Sequence, residues 1–108
     1  MRSILGNTIF KILRKKVIER LKNENYEILE NVRLEDGTQI NFIGIKDGKK
    51  FGVDIYIRPN KKKIQEKEKK FSKYLTDFVF AVPIHAKYYK PDKIWEFDVL
   101  KEIDKAIA

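Results

Sequence analysis

The chain has 108 residues, of which 43% are hydrophobic, and it contains no cysteine. That length suits one domain with a single modest core, so we expect one domain over residues 1–108. The composition excludes a disordered chain, disulfide bonds and cysteine-ligated zinc. No apolar run reaches the ~20 residues of a membrane span and residues 1–5 lack the apolar core of a signal peptide, so we expect a cytoplasmic protein with no membrane partner.

The net charge of +8 is concentrated in two segments. Residues 1–23 carry seven bases and one acid, residues 58–73 carry eight bases and two acids, and the remaining segments are slightly acidic. A local excess of lysine favours a polyanionic partner, and if the two segments line one surface their bases can neutralise several phosphates. The alternative is the charged surface typical of thermophilic proteins, in which Lys and Glu are enriched together.

The first segment predicts a basic amphipathic helix. Asn7 or Thr8 can cap it, and it ends at residue 22 or 23. Its apolar stripe consists of Ile9, Ile12, Leu13, Val17 and Leu21. Arg14 and Lys15, on the opposite side, are candidate phosphate ligands, with a solvated helix face as the alternative. Glu19 is the one acid of this helix and is interpreted as an ion-pair partner on the surface.

Three strands follow in an antiparallel meander. The first is predicted over residues 26–32, and Asp36-Gly37 is a hairpin signal that leads into the second. The second hairpin, residues 38–59, turns at Asp47-Gly48, because a type I′ turn needs positive φ at both central residues. Strands joined by such tight turns must be antiparallel.

The second hairpin places polar groups in the middle of the sheet. With Asp47 and Gly48 as the loop, Asn41 lies opposite Asp54, and Gln39 lies opposite Tyr56. The other face of the third strand is wholly apolar, with Phe51, Val53, Ile55 and Ile57. Polar groups buried there without partners would be costly, which indicates a site.

The second basic segment predicts a second helix. Pro59 ends the third strand, and Asn60 can cap a helix from Lys61 to about Leu75. Its candidate nucleic-acid ligands, together with the base just before it, are Arg58, Lys61, Lys62, Lys63 and Lys70. Glu68 lies on the apolar stripe, where it either reaches the polar cluster or pairs with a lysine at the helix edge. Lys70 and its neighbouring lysines could also supply a relocated catalytic lysine.

The C-terminal third completes the sheet. The apolar run at residues 77–83 suits a buried strand, parallel to the third and reached by a right-handed crossover. Residues 94–97 predict a short edge strand, and Asp98 can cap a final helix. His85 is interpreted as a solvated loop residue. Tyr88 and Tyr89 could stack on unpaired bases, with packing in the protein or contact with a partner as the alternatives.

This order of elements resembles the PD-(D/E)xK, or restriction-endonuclease-like, nucleases, including archaeal Holliday junction resolvases. Asn41 stands where that family has an aspartate, and Asp54-Ile55-Tyr56 stands where it has (D/E)-x-K. Arg14 stands at about the place of the first-helix glutamate. The resemblance implies an α/β fold: a mixed sheet of four or five strands, an antiparallel meander plus a parallel crossover strand, flanked by helices.

Three of the four catalytic residue types are altered, so the resemblance implies the fold more than the activity. We interpret Asp54, Asn41 and Tyr56, with Glu68, as a remnant catalytic site that binds magnesium at Asp54 weakly or not at all. Metal-dependent cleavage needs clustered acids and a lysine. An active Mg-dependent endonuclease is the alternative, with help from Glu68, Glu19 or Gln39. Otherwise no cofactor is expected.

Nucleic acid is therefore the expected partner, with DNA favoured over RNA. The segment KFGVDIYIRP at residues 50–59 also resembles the Lys-Phe-Gly-Ala-Asp-Phe segment of tRNA-splicing endonucleases, which keeps RNA as an alternative. Their catalytic tyrosine would fall on Arg58. A third hypothesis is a protein-interaction subunit, in which the degenerate fold pairs with itself as a homodimer or with an active partner.

Overall fold

A computed structural model of the chain describes residues 4–86 and 89–107, which form three helices and one five-stranded sheet. The elements are α1 (Ile4–Asn23), β1 (Glu27–Arg33), β2 (Gln39–Lys46), β3 (Lys49–Ile55), α2 (Lys61–Tyr74), β4 (Asp77–Pro83), β5 (Ile94–Phe97) and α3 (Leu100–Ile107). The strand order is β1-β2-β3-β4-β5; the pairs β1–β2 and β2–β3 are antiparallel, and β3–β4 and β4–β5 are parallel. The predicted mixed α/β sheet is confirmed, with the edge strand β5 included.

The central hairpin has the predicted turn and register. Asp47 and Gly48 adopt φ values of 53° and 74°, as a type I′ turn requires. The pairs on either side run from Lys46↔Lys49 to Phe42↔Val53. Continued by one residue, this register sets Asn41 opposite Asp54.

The sheet separates two hydrophobic clusters, each covered by different helices. On one face, Leu13, Val17 and Leu21 of α1 pack with Phe42 and Val53, and α3 adds to the same cluster. The opposite face is covered by α2. Its cluster consists of Ile40, Ile43, Ile64, Phe71, Leu75, Phe78 and Phe80. The two basic helices therefore lie on opposite faces of the sheet, and the condition that both segments line one surface is not met.

Helix boundaries follow local hydrogen bonds. Asn60 caps α2 as predicted, since its side chain accepts a hydrogen bond from the Lys63 N–H at 3.1 Å. The predicted cap of α1 is wrong, because the helix already begins at Ile4. The Thr8 hydroxyl donates to the Ile4 carbonyl at 3.0 Å, which is an interior bond of Thr to the i−4 carbonyl and not a cap. Asp98 accepts from the Leu100 N–H at 3.1 Å, in agreement with a cap for α3.

A local irregularity in β1 lies beside the polar cluster. Asn31 has φ of 52°, and the β1–β2 register passes from Glu30↔Phe42 to Val32↔Ile40 around it. Regular alternation would put Ile40 and Phe42 on one face, yet Ile40 packs under α2 and Phe42 packs under α1. The strands thus exchange faces at Asn31, and the polar side chains at this point border a pocket.

Within residues 4–86 and 89–107, no helix has both the length and the apolar character needed to cross a bilayer.

Candidate polar site beside the basic helix

A pocket with a volume of about 470 Å³ lies beside α2, at the start of β2 and the end of β3, away from the turn that joins these strands. It is lined by Asn31, Gln39, Ile40, Asn41, Asp54, Ile55, Tyr56 and Lys67. Four residues of the polar cluster predicted from the sequence, Gln39, Asn41, Asp54 and Tyr56, therefore meet here. The pocket borders the point where β1 and β2 change faces, since Asn31 is one of its lining residues.

Asn41 and Asp54 hold the two strands together through reciprocal bonds. The Asn41 N–H donates to Asp54 Oδ1 at 3.1 Å, and the Ile55 N–H donates to Asn41 Oδ1 at 2.7 Å. Each side chain thus bonds to the backbone of the opposite strand, in place of regular ladder bonds. The Asn41 side-chain oxygen already accepts this bond, whereas its NH₂ group forms no hydrogen bond in the described structure and can meet a ligand.

Lys67 is the charge partner of the buried Asp54 carboxylate. Asp54 is only 6% exposed, and its Oδ2 lies 3.5 Å from the Lys67 ammonium, which also donates to the Gln39 carbonyl at 2.7 Å. Burial raises the pKa of Asp54 above the ordinary value; the Lys67 charge and the Asn41 amide oppose that shift without cancelling it. The carboxylate and the ammonium form a nearly neutral pair on the pocket wall.

Tyr56 is a neutral hydrogen-bonding group and does not replace a lysine. Its half-buried ring packs edge-on against Phe80, with 5.8 Å between the ring centroids. Burial, together with the nearby charges of Asp54 and Glu66, raises the pKa of Tyr56 to about 12. The phenol therefore keeps its proton at neutral pH and offers a donor to the pocket.

Glu68 is not brought to Asp54. Among the described residues it borders a different, wider pocket on the other side of α2. That second pocket is lined by Lys62, Gln65, Glu66, Glu68, Lys69, Ser72, Phe78 and Lys93. Nor does Glu68 form a salt bridge within the described part of the chain, so neither predicted role is seen for its carboxylate. Glu19 lies on α1, across the sheet, and cannot contribute to this pocket.

The sequence does not predict Lys67 individually, and it offers Lys70 and its neighbouring lysines only as a group. Lys70 itself lies nearer the β1–β2 turn: hydrogen bonds from Thr38 lower the pKa of Asp36, and the Lys70 charge adds to that effect. The signal that could have found Lys67 is its spacing. It lies three residues after the buried Ile64 and four before the buried Phe71, on one flank of the helix stripe.

The donor set fits a magnesium ion poorly. Asp54 is the one carboxylate among the described residues that line the pocket, and the Lys67 ammonium lies against its outer oxygen. No group of three or more His, Cys, Asp or Glu side chains that could hold a metal occurs in the described ranges. Magnesium prefers several oxygen ligands, so weak or absent binding stays our prediction.

The seven lysines of α2 are mostly unpaired. Lys67 is the single one that forms a salt bridge within residues 4–86 and 89–107. Lys61, Lys62 and Lys63 are exposed in the first turn, and Arg58 is exposed just before the helix. On α1, by contrast, the candidate ligand Arg14 is bound to Glu30 at 2.5 Å, and Lys15 is exposed.

Of the two aromatic candidates, the structure describes one. Tyr88 lies outside the described residues, and Tyr89 packs against the cluster under α2. His85 is exposed, with Nε2 3.4 Å from Asp98 Oδ1, in agreement with a solvated loop residue.

Neither the models of known protein families nor the curated protein sequences contain a match to this chain. Function must therefore be argued from the residues themselves.

Proposed function

We propose that this protein binds nucleic acid through α2, on a restriction-endonuclease-like fold whose catalytic site is degenerate. The order of elements supports the fold assignment, as does the meeting of Asn41 and Asp54 on adjacent strands at the end of the central hairpin. The altered residues support loss of cleavage. Asn41 offers a neutral amide where an acid would bind a metal, and Tyr56 carries no positive charge.

The observation that carries the proposal is the lysine content of α2 without matching acids. The helix has seven lysines and two glutamates, and six of these lysines form no salt bridge within the described ranges. Even Glu66, which has Lys62 and Lys70 four residues to either side, pairs with neither. The lysines of such a helix repel one another, and a bound polyanion would reduce this repulsion. The positive potential of the helix also attracts phosphates.

Binding of this kind depends little on the base sequence of the nucleic acid. Phosphate contacts fix position but carry no base information, so affinity for unrelated duplexes should be similar. Each phosphate neutralised releases counterions, which makes affinity fall steeply as salt concentration rises. DNA is the first partner to test, because one basic helix face tracks a duplex backbone without a base-specific element.

The test compares two charge reversals of equal size on opposite faces. The α2 triple is K61E, K62E and K63E. The α1 triple is K11E, K15E and K22E, at exposed positions that make no salt bridge in the described structure. Fluorescence anisotropy with a labelled duplex at low salt should show a loss of well over tenfold for the α2 triple and no more than about threefold for the α1 triple.

Two results would contradict the proposal. Equal losses for both triples would mean that net charge alone attracts DNA and that α2 is not the binding surface. Failure of the wild-type protein to bind DNA or RNA at low salt, together with stable self-association in light scattering, would favour the protein-interaction hypothesis and a homodimer.

A second candidate, an active metal-dependent nuclease, is favoured by one observation: Lys67 approaches Asp54 to 3.5 Å and could serve as a relocated lysine. In that case Asp54 would hold the metal, and Lys67 would stabilise the charge that develops on the phosphate. Calorimetry with Mg²⁺ or Mn²⁺ decides between the candidates. We expect weak or absent binding to the wild-type protein, with a gain in the double variant N41D and Y56K. Tight wild-type binding that Asp54→Asn abolishes would support the nuclease.

A further inference from the structure

We infer that the pocket beside α2 takes up one unpaired nucleobase of a bound strand, while Lys63 and Lys70 hold the phosphates that flank it. This inference rests on the proposed nucleic-acid function and adds the substrate class: distorted or single-stranded sites rather than a regular duplex.

The first step is the charge of the pocket. Asp54 and Lys67 are the charged residues among its described lining, and they lie 3.5 Å apart, so their charges largely cancel. A phosphate placed inside would face the Asp54 carboxylate, and a metal ion would face the Lys67 ammonium. A neutral ligand meets neither penalty.

The second step is the hydrogen-bonding capacity of the wall. The side-chain amides of Asn31 and Gln39 and the hydroxyl of Tyr56 form no hydrogen bond within the described structure, although all three border the pocket. The Asn41 NH₂ group adds a donor. Side-chain amides match the paired donor and acceptor of a base edge, and the volume of about 470 Å³ falls in the range of small-molecule pockets, which leaves room for one base.

The third step is the position of the flanking charges. Lys63 and Lys70 lie four residues before and three residues after Lys67, on the same side of α2, and both are exposed. A strand that follows this side would therefore meet a lysine on each side of the pocket mouth. A base can enter only after it leaves the stack, which costs least when it is bulged or single-stranded.

The experiment uses two DNA duplexes with the same paired sequence. One is fully paired, and the other contains one additional 2-aminopurine nucleotide that is bulged. The full-length wild-type protein should bind the bulged duplex at least tenfold more tightly, with a change in 2-aminopurine fluorescence on binding. The pocket variants Gln39→Ala and Tyr56→Phe should reduce this preference to about twofold or less. Their affinity for the paired duplex should stay unchanged.

A matched control is Gln65→Ala, which removes an exposed amide on the other side of α2 and should leave the preference intact. Tyr56→Phe keeps the ring against Phe80, and Gln39→Ala removes no described side-chain bond, so both should melt close to the wild-type temperature. If only one of the two pocket variants folds, its preference for the bulged duplex alone tests the inference. The same pair of substrates made as RNA distinguishes the two nucleic acids.

The outcomes separate the two proposals. Equal wild-type affinity for both duplexes, or a preference that both pocket variants retain, overturns the base-binding inference and leaves phosphate binding by α2 standing. If the wild-type protein binds neither duplex at low salt in DNA or RNA form, both proposals fall together.

Discussion

The two basic helices carry equal net charge but commit their bases to different partners. With six bases and one acid in α1 and seven bases and two acids in α2, each has a net charge of +5. On α1, Arg14 binds Glu30, Lys16 lies 3.5 Å from Glu102, and Arg20 stacks over the Trp95 ring at 4.0 Å. Half of the bases of α1 therefore serve the fold itself.

On α2 the balance is reversed. One lysine, Lys67, forms a salt bridge with a carboxylate of the protein, and the other six are exposed and form no salt bridge within the described ranges. Equal charge therefore does not mean equal capacity for phosphate. What distinguishes the helices is how many bases remain after the internal contacts are formed, and this argues for α2 as the binding surface.

The largest expected effect is on the salt dependence of binding. If about four phosphates contact α2, affinity for duplex DNA should fall about a hundredfold between 50 and 200 mM salt. The α2 triple should flatten the slope of log affinity against log salt by roughly 2–3, because each lost phosphate contact removes about 0.9. The α1 triple should leave the slope as in the wild type. A salt series followed by anisotropy measures both slopes, and a flat wild-type slope would break the comparison.

The next effect compares the ion pair of each helix. Lys67→Met leaves the buried Asp54 without its charge partner, so the free energy of unfolding should fall by about 1–2 kcal/mol, less than for a fully buried pair because Lys67 is about a quarter exposed. Arg14→Met breaks an exposed pair with Glu30, which should cost under about 0.5 kcal/mol. Met has a helix propensity close to that of both residues, so backbone preference is controlled. Urea denaturation measures both values, and equal losses would mean that burial of Asp54 does not matter.

Much of the central sheet could be predicted because its signals are local. Asp47-Gly48 sets a tight turn, and the turn then fixes the pairs along the hairpin as far as Phe42 and Val53, which brings Asn41 next to Asp54. Strand β4 was predictable from a continuous apolar run after a helix. These features depend on the identity of a few adjacent residues, and no distant contact can change them easily.

The site was harder to predict because helix periodicity does not show which side of the buried stripe of α2 faces the polar cluster. Lys67 and Glu68 both border the buried stripe of α2, one on each side. The sequence predicts Glu68 as a site residue, but α2 packs against the sheet with Lys67 toward Asp54. The break at Asn31 had no clear signal either, since asparagine only tolerates a left-handed conformation and does not require it. The placement of α1 and α2 on opposite faces likewise depends on tertiary packing.

The smallest expected effect is on the pH dependence of stability, which tests how completely Lys67 neutralises the charge of Asp54. Because burial raises the pKa of Asp54 above the unfolded value, the folded state binds its proton more tightly. Stability relative to the Asp54→Asn variant should therefore be highest below about pH 4 and should decline as pH rises through the folded pKa. The decline should be a fraction of the Lys67→Met effect.

Asp77 provides the opposite sign as a control. A hydrogen bond from Lys93 lowers the pKa of Asp77, so its stabilising contribution is present above the unfolded pKa and is lost as pH falls through the folded pKa. Urea titrations of wild type, Asp54→Asn and Asp77→Asn between pH 3 and pH 7 should thus give difference curves of opposite slope. A difference curve for Asp54→Asn that rises with pH would mean that Lys67 outweighs the burial of Asp54. Asp54 would then be held in its charged form by Lys67, and the pair would leave the pocket nearly neutral and still suited to a neutral ligand.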